Sequence, residues 1–122
     1  MTRTTYHMKK KDAQASIMHI CTRDGVNPVD LSSAVGVNVV VKKPDDSIET
    51  WDGNGGTPQP AIDTDPTTGK ITLTDLYNSV ATDSEMDAAG TWSLEFEVEW
   101  PSGKERFPKQ GTITIIVEDI IV

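Results

Sequence analysis

The stretch from residue 91 to residue 100, Thr-Trp-Ser-Leu-Glu-Phe-Glu-Val-Glu-Trp, decides the fold class of the chain. Apolar side chains occupy every second position, and the positions between them are polar or acidic. The apolar series is Trp92, Leu94, Phe96, Val98 and Trp100. Because side chains alternate between the two faces of a strand, this pattern predicts a half-buried β-strand with an acidic outer face. A helix would spread these side chains around its circumference, so we exclude a helix here.

Further strands are predicted on both sides of this stretch. Residues 35–41 carry valine at every second position, and β-branched side chains favour extended backbone. Residues 112–117 alternate in the same way, and the additional apolar Ile116 indicates a strand covered on both faces. Shorter candidates, each bounded by turn residues, cover residues 15–22, 47–51, 61–64, 70–73 and 104–107. Seven or eight short strands with regular turns predict an antiparallel β-sandwich.

The segments between the strands give weaker signals. Pro101-Ser102-Gly103 has the length of a hairpin turn in which Gly103 accepts a positive φ. Residues 52–60 are rich in Gly and Pro and predict a surface loop, whereas residues 75–86 have room for one or two helical turns. At 122 residues, the chain is expected to form one domain.

Charge is distributed unevenly along the chain. Arg3, Lys9, Lys10 and Lys11 give residues 1–11 a net charge of +4, and the remaining residues hold 7 basic and 19 acidic side chains, a net charge of −12. We therefore divide the chain into a basic N-terminal arm, residues 1–11, and a β-sandwich domain, residues 12–122. Two interpretations of the arm stay open: a solvated terminus, or a segment that lies on the acidic face of a neighbouring subunit.

Composition also limits the partners and the compartment. The net charge of −8 argues against nucleic acid as a partner, because phosphate contacts need clustered Lys and Arg. No stretch approaches the ~20 apolar residues needed to span a bilayer, so no membrane partner is expected. Cys21 is the single cysteine, which excludes an intrachain disulfide. We expect a soluble domain made in a cytoplasm.

Candidate reactive residues are few. His19 and Cys21 would share one face of the first strand, a geometry suited to a nucleophile and its base or to two metal ligands. Two ligands do not make a zinc site, and no catalytic or phosphate-binding motif occurs. If that face points inward, Cys21 is a small core residue. We expect no cofactor, no metal and no enzymatic activity.

The acidic residues and one tryptophan offer further sites. Asp63, Asp65 and Gly69 resemble part of a calcium loop, but threonines stand where an EF-hand needs its glycine and its last glutamate. The acidic residues at 83, 85 and 87 are interpreted as a solvated loop. Trp51 lies beside the Gly-rich loop and is either a strand-end core residue or a surface on which a sugar stacks.

The acidic face of residues 91–100 has two interpretations. Glu95, Glu97 and Glu99 repel one another unless cations lie opposite, and Lys104 and Arg106 on the following strand are placed to pair with them. The alternative is that the basic arm of a neighbouring subunit binds to this face.

Five motifs follow one another along almost the whole chain. They are DGVNPVDLS at residues 24–32, KKPDD at 42–46, DPTTGKI at 65–71, AGTWSLEFEVEWPSG at 89–103 and ERFPKQGTITIIV at 105–117. In this order they resemble a family of small tailed-bacteriophage proteins related to the N-terminal immunoglobulin-like domain of the upper baseplate protein. Asp46 replaces the glycine that the family pattern has at this position.

The resemblance implies an immunoglobulin-like β-sandwich with a scaffold role in the virion and no catalytic residues. The places compatible with it are the tail, the baseplate, the neck, a fibre and the capsid, where the domain would be a decoration protein. A carbohydrate-binding or host-adhesion module that uses Trp51 is a further alternative.

Two segments are the expected contacts with other virion proteins and with further copies of the chain. The first is the basic arm, with Arg3, Lys9, Lys10 and Lys11. The second is the C-terminal strand from residue 112 onward, which ends in the apolar residues Ile120, Ile121 and Val122. This strand is expected to add to the sheet edge of a neighbouring subunit.

Overall fold

The computed structural model describes residues 5–9, 16–52, 58–74 and 88–118. These residues form nine strands and one short 3₁₀ helix, Pro66–Thr68, which lies between the fifth and the sixth strand. The strands are β1 Thr5–Lys9, β2 Ile17–Ile20, β3 Gly36–Lys42, β4 Ile48–Trp51, β5 Gln59–Ile62, β6 Lys70–Thr74, β7 Gly90–Trp100, β8 Gly103–Phe107 and β9 Ile113–Glu118.

The strands form two sheets. Six strands lie in the order β1-β9-β7-β3-β4, with β8 also paired to β7, and three strands lie in the order β2-β6-β5. The long strand β7 pairs along one side with β3 and along the other with β9 and then β8. All pairs of named strands are antiparallel except β1 with β9, which is parallel. The predicted all-β sandwich is confirmed, and its immunoglobulin-like character stays a prediction.

One apolar core joins the two sheets, and β5 contributes to it with Ile62, which packs against the buried cluster. Trp92, Leu94, Phe96 and Val98 are buried, as the alternating pattern of residues 91–100 predicts, and Trp100 is half-buried at the end of the strand. Across the sandwich, the ring of His19 stacks on that of Phe96 with centroids 5.9 Å apart. The core is therefore shared by the two layers.

Two turns explain residues that the motifs contain. Asp46 has a φ of 70°, in the left-handed region that favours glycine. Gly103 has a φ of 145° and pairs with Trp100, which confirms the predicted hairpin between β7 and β8.

Strand β1 lies within the segment that we defined from charge as the basic arm. The described part of that arm, Thr5–Lys9, pairs in parallel with β9 from Thr5 opposite Thr114 to Lys9 opposite Glu118. The boundary at residues 11 and 12, the predicted helical turns within 75–86 and most of the predicted loop 52–60 lie outside the described residues.

Candidate functional site

The two candidate reactive residues belong to the core. His19 is 4% exposed and Cys21 is fully buried. Burial, and secondarily the negative charge of Glu105, raises the pKa of the Cys21 thiol to about 12, and burial lowers the pKa of His19. A thiol that stays protonated is neither a nucleophile nor a metal ligand. Cys21 is thus a small core residue, the second of the two interpretations from the sequence.

Of the two interpretations of Trp51, the core residue is confirmed and the sugar-stacking surface is wrong. The Trp51 side chain is fully buried, and its ring lies 6.1 Å from that of Trp92, centroid to centroid. The indole Nε1 donates a hydrogen bond to Glu49 Oε2 at 3.2 Å. Strand β4 therefore turns this residue inward, and its ring faces are covered by protein.

The acidic residues near the 3₁₀ helix have structural roles. Asp65 caps the helix by accepting hydrogen bonds from the backbone N–H and hydroxyl of Thr67, and Asp63 accepts one from the Thr68 hydroxyl. Among the described residues, no group of three or more His, Cys, Asp or Glu is placed to hold a metal ion. The acidic residues at 83, 85 and 87 lie outside them.

The acidic face of β7 is neutralised from the neighbouring strand. Arg106 on β8 contacts Glu95 at 3.3 Å and Glu97 at 3.1 Å, and Lys104 contacts Glu97 at 3.6 Å. Glu97 is 8% exposed, so this position is not part of the solvated outer face that the alternation predicts. Glu97 is covered because β3 and β8 flank it on both sides. For Glu95 and Glu97, the structure therefore supports the first interpretation, pairing with cations of the same chain.

The predicted contact segments are described only in part. Arg3, Lys10, Lys11, Ile120, Ile121 and Val122 lie outside the described residues. Lys9 is at the end of β1, and its Nζ donates to Glu118 Oε2 on β9 at 2.9 Å. Strand β9 has β1 on one side and β7 on the other. Ile113–Glu118 is thus paired on both sides within the chain, and the expected addition of the C-terminal strand to the sheet of a neighbouring subunit stays a prediction.

The contact between β1 and β9, which we call the β1 seam, is the first candidate site. Met8 is 8% exposed and belongs to the core, and Tyr6 packs against that core. The Tyr6 hydroxyl donates to the backbone oxygen of Met18 at 2.5 Å, which links the two sheets. At the end of the seam, the hydrogen bond from Lys9 lowers the pKa of Glu118.

The second candidate site is a groove of about 610 Å³ beside β2, lined by His19, Val26, Pro108, Lys109 and others. Next to it lies an ion cluster centred on Glu105. Arg23 donates to both oxygens of this carboxylate at 2.9 Å.

Two further donors complete this cluster. Trp100 Nε1 donates to Glu105 at 3.0 Å, and Lys109 Nζ lies 2.7 Å from its carboxylate. These donors, with Arg23 the strongest, hold the pKa of Glu105 at about 2. The cluster joins the loop after β2 to the segment after β8.

Sequence reasoning missed both the seam and the ion cluster. Arg23 and Glu105 are 82 positions apart, so no local pattern connects them. For the seam a weak signal exists, because Tyr6 and Met8 alternate with Thr5, His7 and Lys9.

No protein-family model matches the chain, and no curated protein matches it significantly. The described part of the chain contains no helix that is long and apolar enough to cross a membrane.

Proposed function

We propose that the protein is a non-enzymatic structural subunit of a bacteriophage virion, which docks on other tail, baseplate, neck or fibre subunits during assembly. The observation that carries this proposal is the burial of the residues that the competing functions need. His19 and Cys21, the enzymatic candidates, and Trp51, the sugar-binding candidate, all have their side chains in the core. What the described domain offers to a partner is its sheet edges and its charged surface.

The resemblance to the phage family is the reason for proposing a virion, and not another assembly. The residues that carry the resemblance have definite conformational roles in this fold. Asp24 accepts hydrogen bonds from the backbone N–H groups of Val26 and Asn27, and Gly69 is enclosed by the backbone of Cys21 and Val29. At Gly90, an added Cβ would lie 2.8 Å from Pro44. The motifs are thus constraints of one fold, which supports a shared scaffold.

The test is capture of particles by the purified protein. The full chain is first sized by light scattering, then immobilised and incubated with separated phage heads and tails. Selective capture of tails supports the proposal, and selective capture of heads shifts it to a decoration protein. Neutralising the basic arm, by changing Arg3, Lys9, Lys10 and Lys11 to Gln, is expected to weaken capture in a salt-dependent way. Lys42→Gln, an exposed lysine on β3, is the control for the loss of one cation elsewhere on the surface.

A chain that stays monomeric and captures neither particle overturns the proposal. If the immobilised protein instead retained host cells or glycans, this would indicate an adhesion module. Its binding surface would then be one other than the Trp51 ring.

A further inference from the structure

The β1 seam has the properties of an interface that a second copy of the chain can use. Of the five residues of β1, all of them described, Met8 alone is buried. Strand β1 is therefore anchored in the core by one buried side chain, and its other attachments are the pairing with β9 and the contacts of Tyr6 and Lys9.

The contacts of the seam are nevertheless specific. The strand lies parallel to β9 in one register, with Met8 in the core, the Tyr6 hydroxyl on Met18 and Lys9 on Glu118. Each contact joins β1 to a residue outside it, and none depends on which chain supplies the strand. An identical strand from a second copy would reproduce all of them.

The connectivity and the charge favour such an exchange. β1 belongs to the six-stranded sheet, whereas β2, which follows it after residues 10–16, belongs to the three-stranded sheet. Residues 1–11 carry +4 and the rest of the chain −12, so the segment that contains β1 is attracted to the acidic body of a neighbour as well as to its own.

We infer that the edge of β9 is a strand-acceptor site, and that its occupant in the assembled state is Thr5–Lys9 of a second copy of this chain. At low protein concentration the strand of the same chain has the higher effective concentration and fills the site. When copies are held side by side, the strand of a neighbour competes for the same edge. This inference deepens the proposed assembly role and rests on it for its biological context, but its test needs no particle.

The experiment uses two full-length variants that each carry one added cysteine, Lys9→Cys and Glu118→Cys. Both replaced side chains are more than half exposed, so the two variants are expected to keep the fold. The native Cys21 is buried, and its raised pKa keeps it unreactive. The two variants, one carrying a mass tag, are mixed over a range of concentrations and treated with a short thiol-specific cross-linker.

Exchange is expected to give a cross-linked dimer of the two different variants, several-fold more abundant than the dimer of Lys9→Cys with Ser102→Cys. Ser102 is exposed in the turn between β7 and β8, away from the seam. Adding Met8→Asp to the Lys9→Cys chain should reduce the yield of the Glu118→Cys dimer to that of the Ser102→Cys control. A carboxylate is strongly disfavoured in the buried, apolar position of Met8.

Equal yields for the Glu118→Cys and Ser102→Cys partners overturn the inference, since they show that position 9 does not reach the β9 edge of another chain. The same holds if Met8→Asp leaves the yield unchanged, because the contact would then be a charge attraction without strand pairing. Failure of particle capture with a positive cross-link would reject the virion role alone.

Discussion

Strands β1 and β4 lie at the two ends of the strand order of the same sheet, and they are held in different ways. β4 has four residues and buries Trp51 completely, and a tight turn from Lys43 to Ser47 connects it to its partner β3. β1 has five residues and buries Met8, and its partner β9 is at the other end of the described chain.

This comparison shows what makes an edge strand part of its own domain. The number of paired residues is similar, four for β4 and five for β1. The difference lies in the size of the side chain that enters the core and in the length of chain between the strand and its partner. A large anchor and a short turn fix β4, whereas β1 has a small anchor and a distant partner.

The largest expected effect tests the anchor of β4. Trp51→Ala should lower the free energy of unfolding by about 3–5 kcal/mol, because it removes a fully buried aromatic side chain and leaves a cavity. Urea denaturation measures this. Ile48→Ala on the same strand is the control, since Ile48 is 68% exposed and its loss should change stability by less than about 0.5 kcal/mol. Equal costs for the two variants would remove the basis of the comparison.

Met8→Ala tests the anchor of β1. We expect a loss of about 2 kcal/mol, smaller than that of Trp51→Ala, because fewer atoms leave the core. Hydrogen exchange should show the loss first in the amides of β1 and β9. His7→Ala changes an exposed neighbour on the same strand and should have little effect. A cost as large as that of Trp51→Ala would mean that β1 is an integral strand.

The turn between β3 and β4 can be changed so that the protein becomes more stable. Asp46 has a positive φ, and its ion pair with Lys42 is largely exposed, so Asp46→Gly should raise the free energy of unfolding by about 0.5–1 kcal/mol. Asp45→Gly is the matched control with the opposite sign. Asp45 accepts hydrogen bonds from the N–H and hydroxyl of Ser47, which the variant loses. Destabilisation by Asp46→Gly would contradict this account of the turn.

The smallest effect is a pH dependence confined to β1. The pKa of Glu118 is lowered from its ordinary value of 4.5 by the hydrogen bond from Lys9. A lowered folded-state pKa means that the contribution of this pair is fully present above pH 4.5 and is lost as the pH falls through the folded value. Acidification should therefore reduce hydrogen-exchange protection in β1. Glu118→Gln should lack this change, and its persistence there would exclude the pair as the cause.

Sequence alone was sufficient for most of the strands, because alternation is a local property. The alternation of residues 91–100 correctly predicted the buried face of β7. It failed at Glu97 on the other face, because the neighbouring strands β3 and β8 cover that side chain. The five shorter candidates also correspond to strands, although their bounds shift by one or two residues.

The failures share a physical cause. β1 was missed because its two apolar positions lie in a basic segment, where charge is the stronger signal. Trp51 was open to both interpretations, because a Gly- and Pro-rich stretch follows it in sequence, whereas the ring that it packs against belongs to Trp92 on β7. The Glu105 cluster depends on a contact with Arg23 that only the folded chain creates.

The parallel direction of β1 and β9 has a mechanical consequence. A force that pulls β1 toward residue 5 and β9 toward residue 118 acts along both strands in opposite directions, because Thr5 lies opposite Thr114 and Lys9 opposite Glu118. The hydrogen bonds of the seam then carry the load together, in shear, rather than opening one after another. The strand for which we propose exchange between copies is thus also the one placed to resist tension along the chain.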